Sequence, residues 1–385
     1  MLKFLKEITV AAILSLLPTI LIWLPFFLRT PQFWNIPLPQ EGLATIVANY
    51  DGPLYLVVAK SLYNADIIKG FEFSLPVEYY AAHFPAYPLL IRLFSFVYLS
   101  IYSPLVVTML SSILAIYFFR KLISQYLTDE QAIWATIFFS IFPARWLIVR
   151  SVGSPEPLFL AAIIASVYFF QNKKYWWAGI WGAVAAATKS PGILLFVAYM
   201  LALKLPELKR LATTNFGKWF ASLEWRAYPI LLIPLALLSV FGLYYFTYHD
   251  FFAYFHSGDN IHLFFPPFQI FNYSASWVGT FWLEEVIFVY VLSFWGLIKL
   301  MQDKQRTLAY FVAIFFATII FVSHRDIIRY SLPIVPFLFV AFRDVFKQKE
   351  FKFLIMFIAL PVYLFSLAYI SQNVMPISNW LPFFQ

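Results

Sequence analysis

Residues 8–28 read ITVAAILSLLPTILIWLPFFL, an uncharged apolar run bounded by Lys6-Glu7 on one side and Arg29 on the other. About twenty apolar residues are what a helix needs to cross the hydrocarbon of a bilayer. The run is longer than the apolar core of a secretion signal and lacks a small-x-small cleavage site, so it reads as an uncleaved first span. Lys3 and Lys6 ahead of it put the N-terminus in the cytoplasm, because basic residues are retained on that side.

The rest of the chain has the same character. Of its 385 residues 62% are hydrophobic and only 12% charged, with 46 Phe. A soluble domain carries about a quarter charged residues to cover its surface. The mean hydropathy is strongly positive, and no polar segment is long enough to form a separate soluble domain. Residues 1–385 are therefore expected to be one all-α, integral membrane domain, a polytopic bundle. Apolar stretches near 8–28, 103–119, 131–149, 155–171, 175–188, 191–204, 228–248, 281–300, 307–322, 329–342 and 353–371 predict about eleven spans. Several are shorter than an upright crossing requires. The pair 175–188 and 191–204 reads equally as one element kinked at Pro191. Cys is absent, which removes a disulfide framework and any zinc–thiolate site.

Basic residues concentrate in the connections placed inside, among them Lys173, Lys174, Lys304, Arg306, Arg343 and Lys347. The formal charge of +8 is thus topogenic. Nucleic acid, which calls for a clustered basic face, is not an expected partner. Inside connections are short apart from 205–227, where basic and apolar residues alternate (Lys209, Arg210, Phe216, Lys218, Trp219, Trp225, Arg226) as in an interfacial amphipathic helix. Two long connections fall outside, 29–102 and 249–280, both rich in aromatics and proline. They are expected to fold back on the membrane as helical or re-entrant segments and to carry function. No internal repeat is evident, which weakens a secondary-transporter reading.

Ionisable residues at membrane depth are costly and mark function. Five groups stand on the outer side. In Asn49-Tyr50-Asp51-Gly52-Pro53-Leu54-Tyr55 the aspartate can cap the helix that follows, with Pro53 in its first turn. It can equally act as a general base at the mouth of an apolar cavity. Ala82-His83-Phe84-Pro85-Ala86-Tyr87-Pro88, leading to Arg92, reads as a proline-shaped turn in an aromatic belt, or as an anion or acceptor contact through His83 and Arg92. In Ser154-Pro155-Glu156-Pro157, Glu156 suits a first helical turn and could pair with Arg150. Lys189, in Thr188-Lys189-Ser190-Pro191-Gly192, ends an Ala-rich helix, where it meets the dipole or binds phosphate. Ser323-His324-Arg325-Asp326-Ile327-Ile328-Arg329-Tyr330 places arginines outside, against the topogenic trend. A bidentate phosphate contact is the simplest reason for them. Nucleotide-loop, Rossmann, zinc-protease and nucleophile-elbow motifs are all missing.

Together these segments resemble the polytopic GT-C glycosyltransferases, most closely the mannosyltransferases related to GPI mannosyltransferase II. Their Trp/Tyr-Asp-Gly-x-x-Tyr element is matched by Tyr50-Asp51-Gly52-Pro53-Leu54-Tyr55, and their Phe-Pro-x-Tyr-Pro-Leu-Leu-x-Arg element by Phe84 to Arg92. Ser154-Pro155-Glu156-Pro157-Leu158-Phe159 is similar to Ser-Glu-(Ser/Pro)-Leu-Phe with one extra proline. Ala186-Ala187-Thr188-Lys189-Ser190-Pro191-Gly192 resembles Ala-Ala-x-Thr-Arg-x-x-Gly, with lysine for arginine. Pro266-Pro267-Phe268 and Arg329-Tyr330-Ser331-Leu332-Pro333 match two later elements. The resemblance covers about 40–340, in the family's order.

It implies an inverting transferase that moves a sugar, a mannosyl or other hexosyl group, from a polyprenyl- or dolichyl-phosphate donor. The acceptor would be a hydroxyl of a glycan, glycolipid or protein, on the outer or lumenal face of the plasma membrane or endoplasmic reticulum. By that analogy Asp51 is the base, and Arg325, Arg329 and Lys189 bind the donor phosphate. Tyr55, His83, Arg92, Glu156 and His324 are left as acceptor or substrate contacts. Position 53 is Pro rather than a second acid, so no metal cofactor is expected. Cationic side chains then stabilise the leaving phosphate. The alternative is a non-enzymatic transporter or flippase of lipid-linked sugars, which would place polar groups near the midplane of several spans.

Overall fold

The computed structural model describes residues 2–71, 73–95, 101–205, 225–272, 274–275, 277, 282–377 and 379–384. The amphipathic segment expected over 205–227 lies outside them except at its two ends. The described residues are mostly helical, with one two-stranded antiparallel ribbon, Gln32–Phe33 with Ile36–Pro37.

Helical segments lie over the eleven apolar stretches, several of which are divided into shorter pieces. Four helical stretches, Phe4–Phe27, Ser103–Ile123, Trp225–Tyr248 and Phe351–Gln372, are long and apolar enough to cross a membrane. Their outward residues are apolar as well: Leu17 and Ile20 on the first, Phe246 on the third, Phe353 and Phe357 on the last are all exposed. A helix on a water-soluble protein turns a polar face outward. Shorter apolar helices include Glu156–Gln171, Ser190–Lys204, Arg306–Ile319 and Ile327–Ala341.

Proline explains several of the shorter pieces. The helix Asp129–Ile141, opened by a Thr128–Gln131 capping box, stops before Pro143; a second helix, Ala144–Val149, follows. Proline has no N–H to donate and forces its predecessor out of helical geometry, and Phe142 is accordingly extended. Pro191 instead lies in the first turn of a new element, where its missing N–H is not needed. Lys189 is extended, a 3-10 turn covers Ser190–Ile193, and Leu194–Lys204 resumes as α-helix.

The chain packs as two compact units. The first comprises Met1–Ala161, Val240–Asn260 and Asp344–Gln385, and the second Ala162–Ser239 and Ile261–Arg343. In the first, the helices Leu2–Phe27, Ser103–Ile123 and Asp129–Ile141 pack together, and Phe351–Gln372 lies on Ala144–Val149. The segment 29–95 folds over this framework as short helices: Leu43–Val47, Gly52–Ser61, Ala65–Lys69, a 3-10 turn Val77–Ala82, and Ala86–Ser95. The C-terminal stretch returns to it, since Asn49 Nδ2 donates to the Ile370 carbonyl (2.7 Å) and Met375 N–H to that of Ala48 (2.7 Å).

The second unit is built on small-residue contacts. Gly179, in Tyr175–Thr188, lies against the Pro229 carbonyl, and Gly182 seats the Ile233 side chain. Missing Cβ atoms let helix backbones approach closely, the usual device where lipid offers no hydrophobic drive between helices. Leu194–Lys204 packs on Arg306–Ile319, and Trp282–Gln302 lies against both Arg306–Ile319 and Val335–Ala341. Two of this unit's buried hydroxyls are paired with each other. The Ser166 hydroxyl meets the Ala178 carbonyl and the Tyr199 hydroxyl (2.7 Å each), while the Tyr199 ring stacks on Phe170 at 3.9 Å.

Candidate functional site

The first unit holds Asp51, at the head of the helix Gly52–Ser61. Its position follows from Gly52. A Cβ there would strike the Val47 carbonyl and come within 3.2 Å of the Gly153 carbonyl, so only glycine lets the turn close. A Cβ on Gly153 would in turn lie 3.7 Å from Gly52 Cα and press on Pro104. Two glycine backbones thus bring the Asp51 turn beside the Ser154–Glu156 segment.

The Asp51 carboxylate makes no capping hydrogen bond to its helix. It is half-buried, and among the described residues nothing donates to it. Of the two roles open to it in the sequence, capping is therefore not the one its side chain performs. Its flanks are held. Tyr50 is in the left-handed region at φ 51°, where a residue with a side chain sits at a cost of about 1–2 kcal/mol. On the other flank Tyr79, from the 3-10 turn Val77–Ala82, hydrogen-bonds to the Asp259 carboxylate and feels the charge of Asp51. Burial and these two negative charges push the Tyr79 phenol well above its ordinary range. Asp259 follows Gly258, whose φ of 79° turns the chain. That turn is further fastened by Asp259 N–H donating to Ser257 Oγ at 3.3 Å.

Behind Asp51 lies an aromatic layer. The Tyr55 ring meets His83 edge-on at 4.7 Å and Tyr87 at 5.1 Å. Tyr63 donates to the His83 carbonyl (2.7 Å), and its own phenol is raised by burial. The Tyr87 hydroxyl lies 2.8 Å from Thr108 Oγ1, which in turn accepts from Ser154 N–H (3.2 Å); Ser154 Oγ donates to Glu156 Oε2 (2.7 Å). Tyr55, His83 and Glu156 are so joined into one buried network behind the carboxylate. Arg92 goes elsewhere. Its Nη1 donates to the Ala59 and Lys60 carbonyls (2.9 and 3.0 Å), closing the C-terminal end of the helix that Asp51 begins. Arg150 turns to Ser15 Oγ (3.2 Å) from a fully buried position, rather than to Glu156.

The second unit gathers the cations. Arg325 is exposed, whereas Arg329 is mostly enclosed and pairs with the buried Asp326 carboxylate, Nε to Oδ2 at 3.2 Å. His324 Nδ1 accepts from Asp326 N–H (3.0 Å), so in the neutral ring the proton belongs on Nε2. Burial, then Arg329, His262 and Arg325, depress its pKa to about 3. His324 is thus a neutral donor inside a positively charged turn. His262 stacks on it at 5.2 Å and 13°, and Tyr330 meets its edge at 5.3 Å. His262 is brought in by backbone pairing of 262–268 with 320–323: Ser323 N–H donates to the His262 carbonyl (2.9 Å) and Phe264 N–H to that of Phe321 (2.8 Å). The same pairing holds Phe264 and Phe265 out in the open, the latter 87% exposed. Lys189 follows the helix Tyr175–Thr188 as its C-cap, where a cation suits the dipole. Gly192 allows the following 3-10 turn to lie directly on Ala185 and Ala186.

Such groups can remove a proton from a neutral hydroxyl (Asp51) and hold an anion (Arg325, Arg329, His324). Among the described residues no three histidine or carboxylate side chains converge as a metal ion needs. Sequence reading passed over Asp259 and His262, which carry no motif and enter through contacts made late in the chain. No family model matches the chain, and no curated protein matches its sequence.

Proposed function

We propose that this protein is a multi-pass membrane glycosyltransferase with about eleven crossings, its N-terminus inside and its active site on the outer or lumenal face. It moves a sugar, mannosyl or another hexosyl group, from a polyprenyl-phosphate donor to an acceptor hydroxyl. The observation that carries this reading is the Asp51 carboxylate: set at a helix start by a glycine only that turn can use, yet not spent on capping the helix. A carboxylate held ready in that way suits a general base.

In this reading Asp51 takes the proton of the acceptor hydroxyl as its oxygen bonds to the anomeric carbon. The bond from that carbon to the donor phosphate breaks on the opposite face, which inverts the centre, and polyprenyl phosphate leaves with the bonding pair. Arg325, Arg329 and Lys189 are the proposed phosphate ligands, and cations at a leaving phosphate stabilise the charge it acquires. His324 supplies an uncharged N–H. Tyr55, His83 and Glu156 back the Asp51 turn, while Arg92 fixes the far end of its helix.

The test is to incubate the purified protein with a panel of polyprenyl-phosphate sugars and acceptors and to detect free polyprenyl phosphate. Release is expected with one donor. Asp51→Asn should keep donor affinity and lose transfer by about 10²–10⁴-fold, the scale of a general base. Undiminished turnover in Asp51→Asn rejects the base. No release from any donor, together with movement of lipid-linked sugar across vesicles, identifies a flippase instead.

A further inference from the structure

The turn that carries Asp51 is gripped on its N-terminal side by groups far away in sequence. Arg145 Nη1 donates to the Tyr50 hydroxyl (3.2 Å), and the same guanidinium lies 3.8 Å from the centroid of the Tyr369 ring. Tyr50 itself stacks on Tyr369, 5.9 Å between centroids at 29°. The three side chains therefore close a ring of contacts: cation on aromatic, aromatic on aromatic, cation to hydroxyl. The neighbouring positions are tied to the same helix end. Asn49 Nδ2 donates to the Ile370 carbonyl (2.7 Å), Asn373 Nδ2 to Asn49 Oδ1 (3.2 Å), and Met375 N–H to the Ala48 carbonyl (2.7 Å). Residues 48, 49 and 50 are thus each fastened to 369–375, and Gly52 is pressed on Gly153. Between these anchors stands Asp51.

We propose that Arg145 is a positioning residue for Asp51, acting through Tyr50 and Tyr369. Tyr50 explains why such a clamp is needed. At φ 51° it occupies backbone space that side-chain-bearing residues avoid, and it relaxes to ordinary geometry unless held. That relaxation would swing the next residue, and a misplacement of about 1 Å at a reacting group costs on the order of 100-fold in rate. Arginine suits the task through its planar face, which stacks on Tyr369, and its fork, which reaches Tyr50 at the same time. Lysine carries the charge but has neither feature. The clamp also gives the helix Phe351–Gln372 a part in the reaction that its plain apolar sequence does not announce.

This inference rests on Asp51 as the base, and the experiment separates the two. Arg145→Lys is measured by donor turnover, alone and combined with Asp51→Asn, and by hydrogen exchange at the amides of Gly52 and Tyr55, which bond to Asn49 and Asp51 carbonyls. The expected result is a kcat about 100-fold lower with donor KM within twofold. No further loss should appear on top of Asp51→Asn, and exchange should quicken at those two amides alone. Tyr50→Phe, which keeps the stack and drops the hydroxyl, should lose roughly fivefold, the value of one hydrogen bond. Equal fold losses in the wild-type and Asp51→Asn backgrounds, or a raised donor KM, overturn the proposal and make Arg145 a general scaffold or a substrate ligand. If Asp51→Asn turns over normally while exchange still quickens in Arg145→Lys, the base assignment falls and the clamp stands. Unchanged exchange removes the clamp itself.

Discussion

Arg325 and Arg329 lie four residues apart, yet their substitutions should separate cleanly. Arg329 pairs with the buried Asp326 carboxylate, so Arg329→Ala removes a cationic partner from a buried charge and should cost up to about 3 kcal/mol, read as a fall in melting temperature in detergent. Arg325 is exposed, and Arg325→Ala should leave stability within about 0.5 kcal/mol while weakening binding of a phosphate-headed lipid. A stable Arg329→Ala would mean that Asp326 is satisfied by other partners. His324 offers a second residue-level test. Its folded pKa near 3 lies below the usual 6.5. Above about 6.5 both folded and unfolded chains hold it neutral, and it contributes nothing to the pH dependence. As pH falls from 6.5 towards 3, the unfolded chain takes up a proton that the folded one refuses, and stability is lost. Melting temperatures across that window should therefore drop less steeply in His324→Gln than in the wild type.

At the scale of elements, glycines decide how close the pieces can come. Gly192 lies against the backbone of Ala185 and Ala186, and an added methyl has nowhere to go. Gly192→Ala should separate the Ser190–Ile193 turn from Tyr175–Thr188 and lower the melting temperature markedly. Gly242, inside Leu232–Tyr248, has open space around its Cα. There alanine should be neutral or stabilising by up to about 1 kcal/mol, from helix propensity alone. Equal melting shifts for the two variants would show that Gly192 is not at a close contact. The rigidity of the paired segments 262–268 and 320–323 also belongs to this scale. It holds Phe265 exposed in the segment that pairs with 320–323, just ahead of the cationic turn.

At the scale of the whole molecule the open matter is sidedness, and the composition supplies a clean way to measure it. The chain has no cysteine, so a single introduced thiol reports one position without background. Phe265→Cys, in the connection placed outside, should react with an impermeant maleimide on intact cells. Gln302→Cys, in the connection placed inside and exposed at the end of Trp282–Gln302, should react only after permeabilisation. The reverse pattern inverts the topology and moves Asp51 to the cytoplasm.

How much of this was legible beforehand differs by kind of information. Helix positions could be read because they depend on local runs: apolar length above all, with Pro191 as an interruption; the break at Pro143, which divides the single stretch expected over 131–149, was passed over. Asp51, His83, Glu156, His324 and Arg329 could be singled out because a polar group among apolar neighbours is costly wherever it sits. What each of them does was not legible. That Arg92 closes a helix end, that Asp51 leaves its own helix uncapped, and that His324 stays uncharged all depend on neighbours brought from elsewhere in the chain. The same holds for Asp259 beside Tyr79, His262 over His324, and the grip of Arg145 and Tyr369 on Tyr50. Hydropathy and charge act residue by residue along the chain, so sequence alone determined which segments are helical and apolar. Hydrogen bonds, ring stacking and close backbone contact act over a few ångströms in space, so only the tertiary structure decided which polar groups meet and what their meeting leaves free to act.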